Sequence, residues 1–220
     1  MKILVVMPND NIFPVGITYI TASLKKAGHL VDGIIYSNYD ILVEKLRNNY
    51  DFVATGGLSA EYIKLKYISN IAQQANTKII MGGGIITSEP ELMSKALNVD
   101  YSIIGEGEET IIELITCIEK NENLSNVKGI CYFDKGDLKI TEKRSQIEDL
   151  DSIPWPDYDA FNFSKRLESM KPTDQYYYDI FDYPREYPLV ASRSCPFLCT
   201  FCFHPAGNRY ILQTGANCAF

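Results

Sequence analysis

Five short apolar runs alternate with five amphipathic stretches across residues 1–120, and few architectures accept that rhythm. The runs are KILVVM (2–7), VDGIIY (31–36), DFVATG (51–56), KIIMGG (78–83) and DYSIIG (100–105). Helical periodicity lies between and after them, near 16–27, 39–48, 61–75, 89–97 and 108–120. Strand–helix alternation of this kind specifies a parallel sheet with helices on both faces. The strands are apolar at consecutive positions, as a strand covered on both faces requires.

The expected fold class is therefore α/β. It is a flavodoxin-like, Rossmann-like, doubly wound five-stranded parallel sheet of order 2-1-3-4-5, whose switch point lies beside the first and third strands. After Lys120 the rhythm changes. VKGICYFDKGDLKI (127–140) predicts a hairpin about Asp134–Asp137. IEDLDSIPWPDYDAF (147–161) holds Pro154 and Pro156, cannot be a helix interior, and reads as an ordered linker. The stretch 163–190 is too aromatic for a disordered tail and is expected to lie over another surface, its tyrosine-rich part 176–187 lining a substrate pocket or covering a sheet edge. YPLVASRS (187–194) predicts a strand running directly into a group of cysteines. The chain thus divides into 1–125, a hairpin and aromatic linker at 126–186, and a third part at 187–220.

A hydrophobic fraction of 46% in 220 residues supports a full core. The formal charge of −7, with no basic run, excludes non-specific nucleic-acid binding and disfavours an anionic membrane surface. MKILVVMPND is too short and too quickly polar for a signal peptide. No window approaches the roughly eighteen apolar residues of a membrane span. The expected compartment is the cytoplasm, where thiols stay reduced and a tight cysteine group reads as metal-binding or catalytic.

That group is Cys195, Cys199 and Cys202, half of the six cysteines, spaced C-x3-C-x2-C in SCPFLCTFC. Three thiolates can hold an iron–sulfur cluster while leaving one iron open to an exogenous ligand. A structural zinc site completed by Cys218 is the plainer alternative, His204 lying too close to Cys202 for the usual pattern, and chance clustering is a third. At the other end of the chain, the carboxyl ends of the predicted strands carry small residues: Pro14, Val15 and Gly16; Gly56, Gly57 and Ser59; Gly82, Gly83 and Gly84; Gly105, Glu106 and Gly107. Such residues admit a large ligand close to the backbone, although each glycine alone also suits a tight strand–helix turn. Neither G-x-G-x-x-G nor a Walker lysine is present, which argues against a nicotinamide dinucleotide or a nucleoside triphosphate. His29 reads as a helix-terminal residue, and Glu108 and Glu109 as the acidic start of a helix rather than catalytic groups.

CPFLCTFC resembles the cysteine signature of radical S-adenosylmethionine enzymes at the end of a first barrel strand. PVGITYITASLKKAGHLVDGIIY, IIMGGG and DYSIIGEGEETIIELI, followed by LDSIPWPDYDAF, resemble in order the cobalamin-binding domain and connector found in one large class of them. The resemblance covers residues 1–210. It implies that Cys195, Cys199 and Cys202 hold a [4Fe-4S] cluster whose fourth iron is chelated by S-adenosylmethionine, with Phe201 against the adenine. It implies that the twelve sheet-edge residues named above contact cobalamin. The implied reaction is methyl transfer to an unactivated carbon through a 5′-deoxyadenosyl radical, with an electron donor such as flavodoxin or ferredoxin and a small-molecule substrate as partners. The D-x-H-x-x-G loop of cobalamin mutases is replaced by N-D-N-I-F-P-V-G (9–16), so Asn9, Asp10 and Asn11 stand where a histidine would meet the cobalt, an omission common in the radical class. A non-catalytic cobalamin-binding module is one alternative. A radical methylthiotransferase is another, although residues 1–190 offer only Cys117 and Cys131 for its second cluster. Only eighteen residues follow Cys202, so the barrel is expected to be cut short and the chain itself inactive.

Overall fold

A computed structural model describes residues 1–9, 13–169, 187–197, 199–202 and 211–212. Asp10–Ile12, His204, Cys218 and residues 170–186 lie outside the described residues.

The strands β1 (Lys2–Met7), β2 (Leu30–Ile35), β3 (Phe52–Gly56), β4 (Lys78–Gly82) and β5 (Tyr101–Ile103) are parallel in the order β2-β1-β3-β4-β5, as the sequence predicts. The central strand shows why consecutive apolar residues were needed. Ile3, Val5 and Met7 enter one buried cluster, Leu4 and Val6 the other, and none exceeds 1% exposure. Each such side chain contributes about 1.5–3 kcal/mol through removal from water.

The first cluster packs against α1 (Val15–Lys26) and α6 (Glu108–Glu119). The second packs against α2 (Tyr39–Leu46), α3 (Tyr62–Gln74), a short α4 (Gly84–Ser88) not anticipated from sequence, and α5 (Pro90–Leu97). Asn49, Asn76, Asn98 and Asn121 follow helices α2, α3, α5 and α6 with φ near 50°, a left-handed stop that asparagine tolerates.

Two expectations are corrected. The sheet has seven strands, not five, because the predicted hairpin β6 (Ile130–Asp134) and β7 (Asp137–Ile140) continues it antiparallel from β5. Left alone, β5 would expose a row of unpaired backbone groups; Ile130, Cys131 and Tyr132 cover it and are buried. The strand predicted over 187–194 shrinks to β8 (Ser192–Arg193), paired antiparallel with β9 (Ile211–Leu212). Pro188 carries no N–H for a ladder, and its carbonyl is taken by the Tyr158 hydroxyl.

The linker lies on the α1/α6 side through Leu150, Ile153, Tyr158 and Phe161, with Phe163 opening α7 (Phe163–Ser169). Asp157 fixes it to α1, pairing with Lys25 at 2.5 Å while its backbone N–H donates to the Thr18 carbonyl. At the outer strand β2 a Cβ on Gly33 would stand 2.6 Å from the Ala160 carbonyl oxygen, so only glycine lets the linker cross this close.

Candidate functional site

A cavity of about 530 Å³ opens at the carboxyl ends of β1, β3, β4 and β5. Its floor is Val5, Ala54, Ile80 and Ile103, the same apolar strands that build the core. Its rim comes from the loops that follow them. Parallel strands must all end their turns at this edge, and for that reason open α/β sheets bind ligands here.

Ten of the twelve expected cobalamin contacts line the cavity: Pro14, Gly16, Gly56, Gly57, Gly82, Gly83, Gly84, Gly105, Glu106 and Gly107. Val15 and Ser59 do not. Val15 turns into the core at 9% exposure, and Ser59 is exposed at the start of the 3-10 turn Ser59–Glu61.

The glycines serve different purposes. Gly83, at φ 87°, holds its Cα where a Cβ would meet the Gly57 backbone at 2.7 Å, and Gly56 stands equally close to the Gly82 carbonyl. These residues let two loops touch, and the Gly57 carbonyl then accepts the Ile85 N–H at the start of α4. Gly16 differs: among the described residues a Cβ there would meet nothing within 4 Å and would project into open space. Gly16 is cavity lining, so this open space belongs to the cavity.

Several polar groups at this edge were not singled out by sequence reasoning. Glu61 accepts from the Asn9 side-chain amide at 3.0 Å and from the Leu58 N–H at 2.7 Å, joining the loops after β1 and β3. The Thr87 hydroxyl accepts from the Gly105 N–H at 3.0 Å. Arg193, on β8, reaches into the cavity wall with Val190. Its guanidinium donates to Glu106 Oε1 at 2.9 Å and to Glu108 Oε1, and lies 5.6 Å from the Tyr19 ring centre. Burial works against its charge, but Glu108 and Glu106 outweigh burial and hold the guanidinium above its ordinary value. A cation in the otherwise apolar run YPLVASRS was the available signal.

The cysteine loop follows directly. Cys195 is partly buried, Cys199 and Cys202 are exposed, and the Cys202 N–H donates to the Cys199 carbonyl at 3.1 Å. Among the described residues no three His, Cys, Asp or Glu side chains converge to hold a metal ion, so the three thiols share a loop but are not gathered. Phe201 is 88% exposed beside them.

His29 lies at the opposite, amino edge of the sheet, 3.9 Å from Glu119 and beside the amino terminus. It follows the first helix, as expected, and burial, helped by the amino terminus, lowers its pKa from the usual 6.5 while Glu119 opposes the shift. Glu109 faces Arg144 outside the cavity, whereas Glu108 is a buried part of the wall.

The family model of the B12 binding domain matches residues 1–115, more than half of the 220. The chain belongs to the B12-binding domain family. Its likeness to known proteins extends past that domain. It is 28% identical over 222 aligned residues to an uncharacterised methyltransferase of Pyrococcus horikoshii, covering 92% of this chain and 45% of that protein. It is 29% identical to the anaerobic magnesium-protoporphyrin IX monomethyl ester cyclase of Cereibacter sphaeroides, covering 86% of this chain and 31% of that one. The chain thus spans less than half the length of these relatives. Among solved structures, the radical S-adenosylmethionine methyltransferase TsrM of Kitasatospora setae, with cobalamin and a [4Fe-4S] cluster bound, superposes with a TM-score of 0.73. That match covers 97% of this chain and 44% of TsrM at 15% identity, and at that identity it speaks to the fold. The described residues of the B12-binding domain and beyond it therefore share their fold with TsrM. No helix of the described residues is long and apolar enough to cross a membrane.

Proposed function

We propose that this chain is the cobalamin-binding and cluster-carrying part of a cobalamin-dependent radical S-adenosylmethionine enzyme whose reaction is methyl transfer to an unactivated carbon of a small molecule. One observation carries the reading: the cavity of the B12-binding sheet is walled on one side by Val190 and Arg193, and Arg193 precedes Cys195 by two residues. The residues present fit a corrin ligand, since Gly16 leaves an unfilled space at the rim over an apolar floor. They fit a cluster by the chemistry of their donors, three thiols in one loop. When bound, the cluster supplies one electron to S-adenosylmethionine and cobalamin supplies a methyl carrier. The chain's own residues seat and orient these groups. Pro14, Gly16 and Gly82–Gly84 leave room for the corrin, Glu61 holds the two loops over β1 and β3 in register, and Cys195, Cys199 and Cys202 are the cluster ligands. Phe201 would cover the adenine. A one-electron donor such as a flavodoxin or ferredoxin is the partner this chemistry requires.

The methylthiotransferase reading loses ground, because Cys117 and Cys131 are both buried and burial raises both thiols above their ordinary value. Thiols in that setting are inert rather than cluster ligands. The ungathered cysteines keep the non-catalytic module as a second reading. Anaerobic reconstitution with iron and sulfide, followed by gel filtration with hydroxocobalamin, separates them. The proposal expects cobalamin retained and about four irons per chain; cobalamin without iron selects the module, and zinc without sulfide overturns the cluster. Gly16→Leu should abolish cobalamin retention while the far-ultraviolet circular dichroism stays unchanged. Undiminished retention in Gly16→Leu would refute this placement of the corrin.

A further inference from the structure

Arg193 stands where three separately coded segments meet. The loop after β5 brings Glu106, the first residue of α6 is Glu108, the linker brings the Ile147 N–H, and β8 brings the guanidinium. Glu106 spans all of them, accepting from Arg193 at Oε1 and from Ile147 at Oε2, 2.5 Å away. The side chains are 14% exposed for Arg193 and 6% for each glutamate, so this is a buried group of two carboxylates and one guanidinium. The glutamates are favoured here by the amino end of the twelve-residue helix α6. A guanidinium is the one side chain whose planar fork can serve two carboxylates at once. Removing it leaves two uncompensated buried charges, which strongly disfavours the closed arrangement.

We infer that Arg193 is a positioning residue, a latch that seats the cysteine loop on the cavity edge through Glu106 and Glu108, so that filling the cavity and ordering the loop favour each other. The inference rests on the cluster-carrying reading of Cys195, Cys199 and Cys202. The linkage follows from place: Arg193 and Val190 are cavity wall, so a ligand that touches the wall binds the latched state better, and the latched state binds the ligand better by the same factor.

Alkylation of the full, metal-free chain by iodoacetamide under anaerobic conditions, read for each thiol by mass spectrometry, tests the latch without any cofactor. Partly buried Cys195 should react more slowly than exposed Cys199. Arg193→Ala should raise the Cys195 rate by about tenfold, the factor set by one charge-assisted hydrogen bond, and bring it toward that of Cys199. Loss of a neighbouring positive charge would by itself slow a thiol, so acceleration reports exposure. Arg193→Lys should restore part of the protection, whereas a merely space-filling role would be restored equally by Arg193→Met. Glu106→Gln with Glu108→Gln should reproduce Arg193→Ala, and the three changes together should add nothing further. Circular dichroism and the melting temperature of each variant confirm that the sheet is intact. Saturating hydroxocobalamin should slow Cys195 alkylation in the parent chain and not in Arg193→Ala. Equal Cys195 rates in the parent chain and Arg193→Ala, or cobalamin protection that survives in Arg193→Ala, overturns the latch. If the parent chain retains no cobalamin, the functional reading fails, while the cofactor-free rates still decide the latch.

Discussion

His29 is one of two histidines in the chain, and its setting makes two expectations at the residue scale. Burial is the largest influence on it, the amino terminus adds to the effect, and Glu119 opposes both; the net is a pKa below 6.5. Below pH 6.5 the unfolded chain therefore binds more protons at this site than the folded one. This stability is complete above pH 6.5 and is lost as pH falls through the folded value. Urea midpoints should show His29→Gln gaining on the parent chain as pH falls from 7.5 to 5.5; parallel curves would contradict it. The second expectation concerns cobalt. His29 sits at the amino edge of the sheet, so a protein imidazole from this position cannot meet a corrin at the carboxyl edge. Paramagnetic resonance of the reduced cobalt(II) complex should be the same in His29→Gln as in the parent chain. A nitrogen splitting that vanished in the variant would reverse the placement of this histidine.

Among the elements, β2 shows how a strand can depend on a neighbour remote in sequence. It is the outer strand of the sheet, and the linker turn Asp159–Phe161 covers it where Gly33 allows backbone contact. Gly33→Ala places a methyl group against the Ala160 carbonyl and should cost about 1–3 kcal/mol as overpacking, measured as a drop in melting temperature. An unchanged melting temperature would mean that the linker does not hold this edge. The five parallel strands, the five main helices and the hairpin were legible because periodicity and turn residues are local, whereas the run at 187–194 kept only Ser192–Arg193 as strand. The pairing of the hairpin with β5 was not, because antiparallel addition to a parallel sheet leaves no mark on the pattern of Ile130–Ile140. The short α4 was hidden in GGGIITSEP, where glycines signal a turn and the helix depends on the Gly57 carbonyl at its start.

For the whole molecule, the sheet, the hairpin and the linker form one body around two buried clusters, with the cavity at one edge. A ligand that binds only the folded form stabilises all of it. Hydroxocobalamin at a hundredfold excess over its Kd should add about 2.7 kcal/mol, a rise of roughly 5–10 °C in melting temperature for a chain of this size. Gly16→Leu should keep the ligand-free melting temperature and lose that rise. A melting temperature unmoved by hydroxocobalamin in the parent chain would remove cobalamin from the proposal.

The sequence by itself determined the layered α/β fold, the strand order, the loops that carry the rim and the spacing of Cys195, Cys199 and Cys202. The elements, loops and cysteine spacing rest on neighbours close in sequence, where hydrophobic period and turn chemistry act directly, whereas the strand order, which pairs Ile3 of β1 with Phe52 of β3, follows from the fold class. Only the tertiary structure decided which glycines leave room and which merely let loops touch, since Gly16 and Gly83 look alike until the opposing backbone is in place. It also brought Glu106, Glu108 and Arg193 together across more than eighty residues. Buried charges must find partners wherever the chain can supply them, and no local pattern records which partner that will be.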